Sequence, residues 1–221
     1  MQTERRGVIL DVDGTLIDSN DAHARAYVAA LAAEHLAVPF ERVRPLIGMG
    51  AEKLLPAVGV DPRSPTAQRV GQRKKAHFAT EYLPRLRACR GGRALLEVMK
   101  KRGVRRLVAT SAAANELHDL LHAAHLEDLV ESESTSSDAE ASKPDPEIVV
   151  AAIERSGLSR DQLVMLGDTP YDIEAAARAD IPTTALRSGG WTDRELAGAV
   201  AIYEDPADRL DNLATSLFGW S

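Results

Sequence analysis

A chain of 221 residues is long enough for one sizeable core with room for a small accessory domain. Hydrophobic residues make up 44% and charged residues 27%, the balance of an ordinary soluble globular protein rather than a disordered one. The formal net charge of -6 argues against a nucleic-acid binder, which needs a basic footprint.

Arg42, Arg44, Arg102, Arg105 and Arg106 are scattered and read as solvated faces. The single cysteine, Cys89, can form neither an internal disulfide nor a multi-cysteine zinc site, and reads as a small packed residue. Near the N-terminus the apolar run Val8-Ile9-Leu10 is too short for a signal peptide or a membrane span. A cytoplasmic protein with no membrane partner is the default expectation.

Taken in chain order, Gly7 to Leu10 is continuously apolar and closed by Asp11, the pattern of a strand buried on both faces in a parallel sheet. Asn20 to Arg87 holds no convincing strand. It reads as a helical insert, with an alanine-rich helix over Ala22–Leu36 and a long one capped at Ser64-Pro65 and running to about Leu83. The core resumes near Gly91, with a helix over Arg93–Arg102 and a strand at Arg106–Ala109. A helix over Ala113–His125 follows, then a polar loop from Glu131 to Ser142. Asp145-Pro146 reads as N-cap and first helical residue of a helix to Ser156. Leu163–Leu166 is another strand, and Thr169-Pro170 starts a helix over Tyr171–Ala179. Strands at Pro182–Leu186 and, more weakly, Ala199–Tyr203 complete a doubly wound α/β layer.

Ligands of such sheets bind beyond the carboxyl ends of the strands. The polar residues there are Asp11-Val12-Asp13-Gly14-Thr15, Thr110-Ser111, Lys143 at a helix entry, and Gly167-Asp168 with Asp172 after it. Converging carboxylates repel one another unless a cation sits among them. Magnesium suits a site with few carboxylates, several waters and a substrate phosphate. Lys143 would neutralise that phosphate and hold a nucleophile, Thr110 would donate a hydroxyl hydrogen bond to it, and Gly14 would let the backbone turn its amides toward it.

In this order and combination these motifs resemble the haloacid dehalogenase superfamily, in particular its phosphatases with a helical cap inserted after the first motif. The phosphoglycolate phosphatase and β-phosphoglucomutase groups are the most similar, and the resemblance spans nearly the whole chain. It implies a Rossmann-like core over residues 1–17 and 88–221 and a helical cap over 18–87. It also implies that Asp11 is the nucleophile and forms an aspartyl-phosphate, while Asp13 serves as general acid and base. By the same resemblance Asp11, the Asp13 carbonyl and Asp168 ligate magnesium, with Asp172 supporting the metal site. Thr110, Ser111, Lys143 and Gly14 bind the phosphate.

Specificity is expected from the cap, with Asp18, His23, Gly48, Met49, Gly50, Lys53 and Lys74 as candidates. The β-phosphoglucomutase group also has a histidine where His23 stands. Two glycines allow close approach to a ligand, and Lys53 would reach an anionic substrate tail.

Departures from the pattern separate the relatives. Dehalogenases lack the second aspartate, and phosphonoacetaldehyde hydrolases, whose Met-Gly-x-x-Lys stretch is matched by Met49–Lys53, have alanine there; this chain has Asp13. The mutases use a cap arginine where this chain has Ala51. The expectation is therefore hydrolysis of a small phosphate monoester, of phosphoglycolate or sugar-phosphate type, by a monomer. A phosphomutase or a C–P hydrolase is the alternative, and a non-catalytic binding module ranks last.

Overall fold

The computed structural model describes residues 5–139 and 141–212. Trp220, to which the sequence attaches no ligand role, lies outside the described residues. Six parallel strands form one sheet in the order β3-β2-β1-β4-β5-β6. They are β1 (Gly7–Leu10), β2 (Arg105–Ala109), β3 (Ser132–Ser134), β4 (Leu163–Gly167), β5 (Thr183–Leu186) and β6 (Ala201–Tyr203). The helices are α1 (Asn20–Ala32), α2 (Phe40–Val43), α3 (Ala51–Ala57), α4 (Pro65–His77), α5 (Gly92–Lys101), α6 (Ala114–Ala123), α7 (Glu147–Ser156), α8 (Pro170–Arg178) and α9 (Pro206–Asp211). No helix among the described residues is long and apolar enough to cross a membrane.

The continuous apolar runs follow from burial on both faces. Successive strand side chains point to opposite sides. Val8, Leu10, Val108, Val164 and Leu166 join the cluster under α5 and α6. Ile9, Leu107, Ala109, Leu163 and Met165 join the cluster under α7 and α8. Truncating Ile9, fully buried at the centre, to alanine would cost about 2–5 kcal/mol.

α1 to α4 form a helical segment between β1 and α5 with its own apolar cluster, built on Leu31, Val43, Leu54, Leu55 and Val70. α4 starts where Ser64 accepts from the Ala67 amide at 3.1 Å, with Pro65 at the first position. A wider turn over Phe78–Tyr82 prolongs it. The chain enters and leaves this segment side by side: Ile17 bridges Ala88, and the Asp18 amide donates to the Arg87 carbonyl at 3.1 Å.

Three expectations need correction. The polar loop from Glu131 contains β3, a short strand on the sheet edge, where polar side chains are the rule and apolar patterning is absent. Asp145 does not cap α7; Pro146 stands at the N-cap position without a side-chain bond, and the Asp145 carboxylate is drawn instead to Lys53 at 2.7 Å and Arg178 at 3.2 Å. Arg106 is not on a solvated face. It is buried, donating to the Leu129 carbonyl at 2.6 Å and pairing with Glu131 at 2.6 Å.

Candidate active site

The strand order reverses between β1 and β4, and a crevice opens at the carboxyl ends of strands on either side of such a point. Leu10 pairs with Val108 on one side and Leu166 on the other. Asp11 follows Leu10 and its amide donates to the Leu166 carbonyl at 2.9 Å. The nucleophile candidate is thus set between Thr110, just past β2, and Asp168, just past β4. Beyond it the chain folds back, the Gly14 amide donating to the Ile17 carbonyl at 2.7 Å. Gly14 has φ of 83°, and a Cβ there would lie 2.2 Å from Asp168 Oδ2. Only glycine brings the turn this close to that carboxylate.

Asp11, Asp168 and Asp172 each offer an oxygen within 4.8 Å of the others, all buried. Lys143 Nζ donates to Asp11 and, at 2.7 Å, to Asp172. Burial pushes the Asp11 carboxyl up to about 7 against the pull of the Lys143 charge. Burial also drives Asp168 well above the carboxylate range, and the charges of Asp11 and Asp172 push the same way. Burial disfavours charge on Lys143, but Asp11 and Asp172 outweigh it and keep the ammonium protonated. One ammonium faces three buried carboxyl groups, and a cation could replace the protons that burial holds on them. Oxygen donors alone, in that number, suit a hard divalent cation.

The carboxylates are not equivalent. Asp168 is held by the Thr15 hydroxyl at 2.8 Å and Asn20 Nδ2 at 2.9 Å, while Asn20 Oδ1 is buried without a partner beside it. Asp172 Oδ2 accepts from the Thr169 hydroxyl at 2.7 Å and the Thr169 amide at 3.0 Å, and its Oδ1 takes Lys143. Asp172, unlike Asp168, holds the Lys143 ammonium and the Thr169 amide, which fits a role orienting its neighbours. The Asp13 carboxylate turns away from this trio to Ser19 and to His23 Nε2 at 2.9 Å. Burial would raise Asp13, but the charge and hydrogen bond of His23, the Ser19 hydroxyl and the Lys74 charge hold it at about 2.

In front of Asp11 lies a cavity of about 280 Å³, lined by Asp13, Thr110, Ser111, Gly48, Met49 and Gly50 among others. His23 enters it stacked on Phe78, with ring centroids 4.1 Å apart. The Ser111 hydroxyl donates to the Gly48 carbonyl at 3.3 Å, and the Thr110 oxygen accepts from the Ala112 amide at 3.2 Å. The structure therefore gathers Asp11, Asp13, Gly14, Thr110, Ser111, Lys143, Asp168, Asp172, His23, Gly48 and Gly50 around one crevice. Lys74 also lines the cavity.

Two candidates fall elsewhere. Asp18 is exposed where the chain leaves the core. Lys53 points out of the cavity, to the Ser142 carbonyl and to Asp145 at 2.7 Å. Residues not singled out in the sequence also shape the site. Ser19 and Asn20 carry a signal, since they follow the Asp11–Thr15 motif closely. Tyr27, Glu52 and Glu116 carry none, because helix packing alone brings them to the cavity.

The family model for haloacid dehalogenase-like hydrolases matches residues 8–186. A phosphoglycolate phosphatase of Rhodospirillum rubrum is 31% identical, over 90% of this chain and 87% of its own. A phosphorylated carbohydrates phosphatase of Thermotoga maritima is 28% identical, over 79% of this chain and 81% of its own. Among solved structures, a hydrolase from Pseudomonas syringae superposes with a TM-score of 0.89 at 30% identity, covering 96% of this chain and 99% of the other.

Proposed function

Because this chain belongs to the haloacid dehalogenase-like hydrolases and is a phosphatase of that family, we propose that it hydrolyses a small phosphate monoester through an aspartyl-phosphate on Asp11, with magnesium as cofactor. The observation that carries this reading is the buried Asp11 carboxylate, gripped by Lys143 at a strand end and facing the open cavity.

The chemistry follows from the placement. An Asp11 oxygen attacks phosphorus, the bond to the alcohol oxygen breaks, and Asp13 gives that oxygen a proton. Asp13 then takes a proton from water as the water oxygen attacks the same phosphorus, releasing phosphate and restoring Asp11. A dianionic phosphate brought beside Asp13 raises its affinity for the proton it must carry in the first half. Lys143, Thr110 and the amides after Asp11 surround the transferring group, where most of this catalysis lies. Asp11, the Asp13 carbonyl and Asp168 would hold the magnesium ion, with Asp172 orienting Lys143 and the Asp168 backbone. That ion supplies charge stabilisation to the phosphoryl oxygens.

We further take residues 18–87 as a cap that moves on the paired crossings at Ile17 and Ala88 to admit substrate and then exclude water. Lys53 is turned away from the cavity, so an imine-forming C–P hydrolase gains no support from the Met49–Lys53 stretch.

The test is phosphate release from a panel of small phosphate esters with magnesium or with a chelator. Magnesium-dependent release that vanishes in Asp11→Asn supports the reading; an active Asp11→Asn protein refutes it. Faster isomerisation than hydrolysis of a sugar phosphate would favour the mutase.

A further inference from the structure

The end of the cavity away from Asp11 receives the part of the substrate that leaves. Among the described residues lining the cavity, the basic side chains are His23 and Lys74, and the carboxylates besides Asp11 are Asp13, Glu52 and Glu116. Each basic side chain already has an acidic partner. His23 lies 2.9 Å from Asp13 and 3.9 Å from Glu116. Lys74 lies 2.6 Å from Glu116 and sits 5.4 Å over the Tyr27 ring and 5.1 Å over the Phe78 ring. Glu52 accepts the Ser142 amide at 3.1 Å and the Ser142 hydroxyl.

Lys74 is already paired with Glu116, so a second anion on the substrate that bound at Lys74 would also meet the Glu116 carboxylate, and like charges brought together oppose binding. Hydroxyl groups meet the opposite welcome. A carboxylate accepts several hydrogen bonds at once, and Tyr27, Ile47 and Met49 supply apolar surface for carbon-bound hydrogens.

We propose that Glu116, helped by Glu52, makes this site select the phosphate ester of a neutral, polyhydroxylated alcohol over one carrying a carboxylate or a second phosphate. The inference rests on the phosphatase reading and names its substrate class. It sets the chain apart from the relative named for phosphoglycolate, whose substrate ends in a carboxylate. Selectivity here comes as much from the repulsive element, Glu116, as from attraction.

The test is steady-state kinetics of the magnesium-loaded protein on two matched pairs. Glycerol 3-phosphate differs from 3-phosphoglycerate, and glucitol 6-phosphate from 6-phosphogluconate, only by a hydroxymethyl in place of a carboxylate. A small aryl ester, p-nitrophenyl phosphate, serves as the control for phosphatase activity. The neutral member of a pair is expected to show kcat/KM higher by about tenfold or more. Glu116→Gln is expected to narrow that ratio several-fold, and the ratio reads specificity whatever happens to overall rate. Equal or better use of the acidic members would overturn the proposal, as would a ratio unchanged in Glu116→Gln. Turnover of the aryl ester with neither polyol ester hydrolysed would overturn it too. No hydrolysis of any ester would instead strike the phosphatase reading itself.

Discussion

Lys143 Nζ lies 2.7 Å from Asp172 Oδ1, both side chains being 1% exposed, and the same ammonium holds Asp11. Lys143 enters from the loop before α7, Asp172 from the first turn of α8, and Asp11 from the end of β1. One side chain therefore fastens three elements at the mouth of the crevice proposed to take the phosphate. Lysine is almost never buried this deeply unless it is paired.

Removing that charge exposes its cost. Lys143→Ala would leave two carboxylates facing each other in a dry site, and breaking a buried pair this way costs about 3–5 kcal/mol. Urea unfolding should show the loss, together with abolished turnover. Adding Asp172→Asn should recover part of the stability but none of the activity. A Lys143→Ala protein as stable as the parent would mean that water already compensates these charges.

Asp11→Asn should behave in the opposite sense. Turnover should fall by about 10³-fold or more, as expected for loss of a nucleophile. Stability should hold or rise, because burial already opposes ionisation of Asp11 and pushes it to about 7. Circular dichroism melts beside phosphate release would show both effects. A collapsed fold would mean that Asp11 is structural before it is catalytic.

The pH dependence of the metal-free protein follows from the same carboxyl. Its folded pKa is about 7 against an ordinary 3.8, so the folded state binds the proton more tightly than the unfolded chain. That contribution to stability is complete below about pH 4 and is lost as pH rises through 7. Magnesium must displace the protons that burial holds on Asp11 and Asp168, so its affinity should strengthen as pH rises from 5.5 through 7. Calorimetric titration in buffers of different ionisation enthalpy should find proton release on binding at pH 6. Affinity flat across this range, with no proton release at pH 6, would contradict the assignment.

The core of the site was legible because its physics is local. Strands buried on both faces carry unbroken apolar runs, and the next residue at each carboxyl end faces the crevice, so Gly7–Leu10 announces Asp11 and Leu163–Gly167 announces Asp168. What escaped depends on partners far along the chain. β3 is polar because it forms the sheet edge. Arg106 looks like surface until Glu131 and the Leu129 carbonyl are brought to it. Glu116 sits in the first turn of α6 like any helix-start glutamate, and acquires meaning only when Lys74 of α4 arrives at 2.6 Å.

Lys53 shows the same thing and yields the last prediction. Its position after Gly48-Met49-Gly50 suggested a grip on an anionic tail, but its ammonium closes on the Ser142 carbonyl and on Asp145. Glu52 and the Gly50 amide seize the Ser142 hydroxyl from the same side, the amide at 2.8 Å. Together they fasten α3 of the inserted segment to the loop that carries Lys143. The Lys53–Asp145 pair is partly exposed, so it is worth no more than about 1 kcal/mol. Lys53→Met should leave Tm within a few degrees of the parent and lower kcat/KM several-fold. A fastening between segments serves every substrate, so the loss should be the same for acidic and neutral esters. A loss confined to acidic esters would return Lys53 to the binding site and require it to swing by way of the Gly50 turn into the cavity.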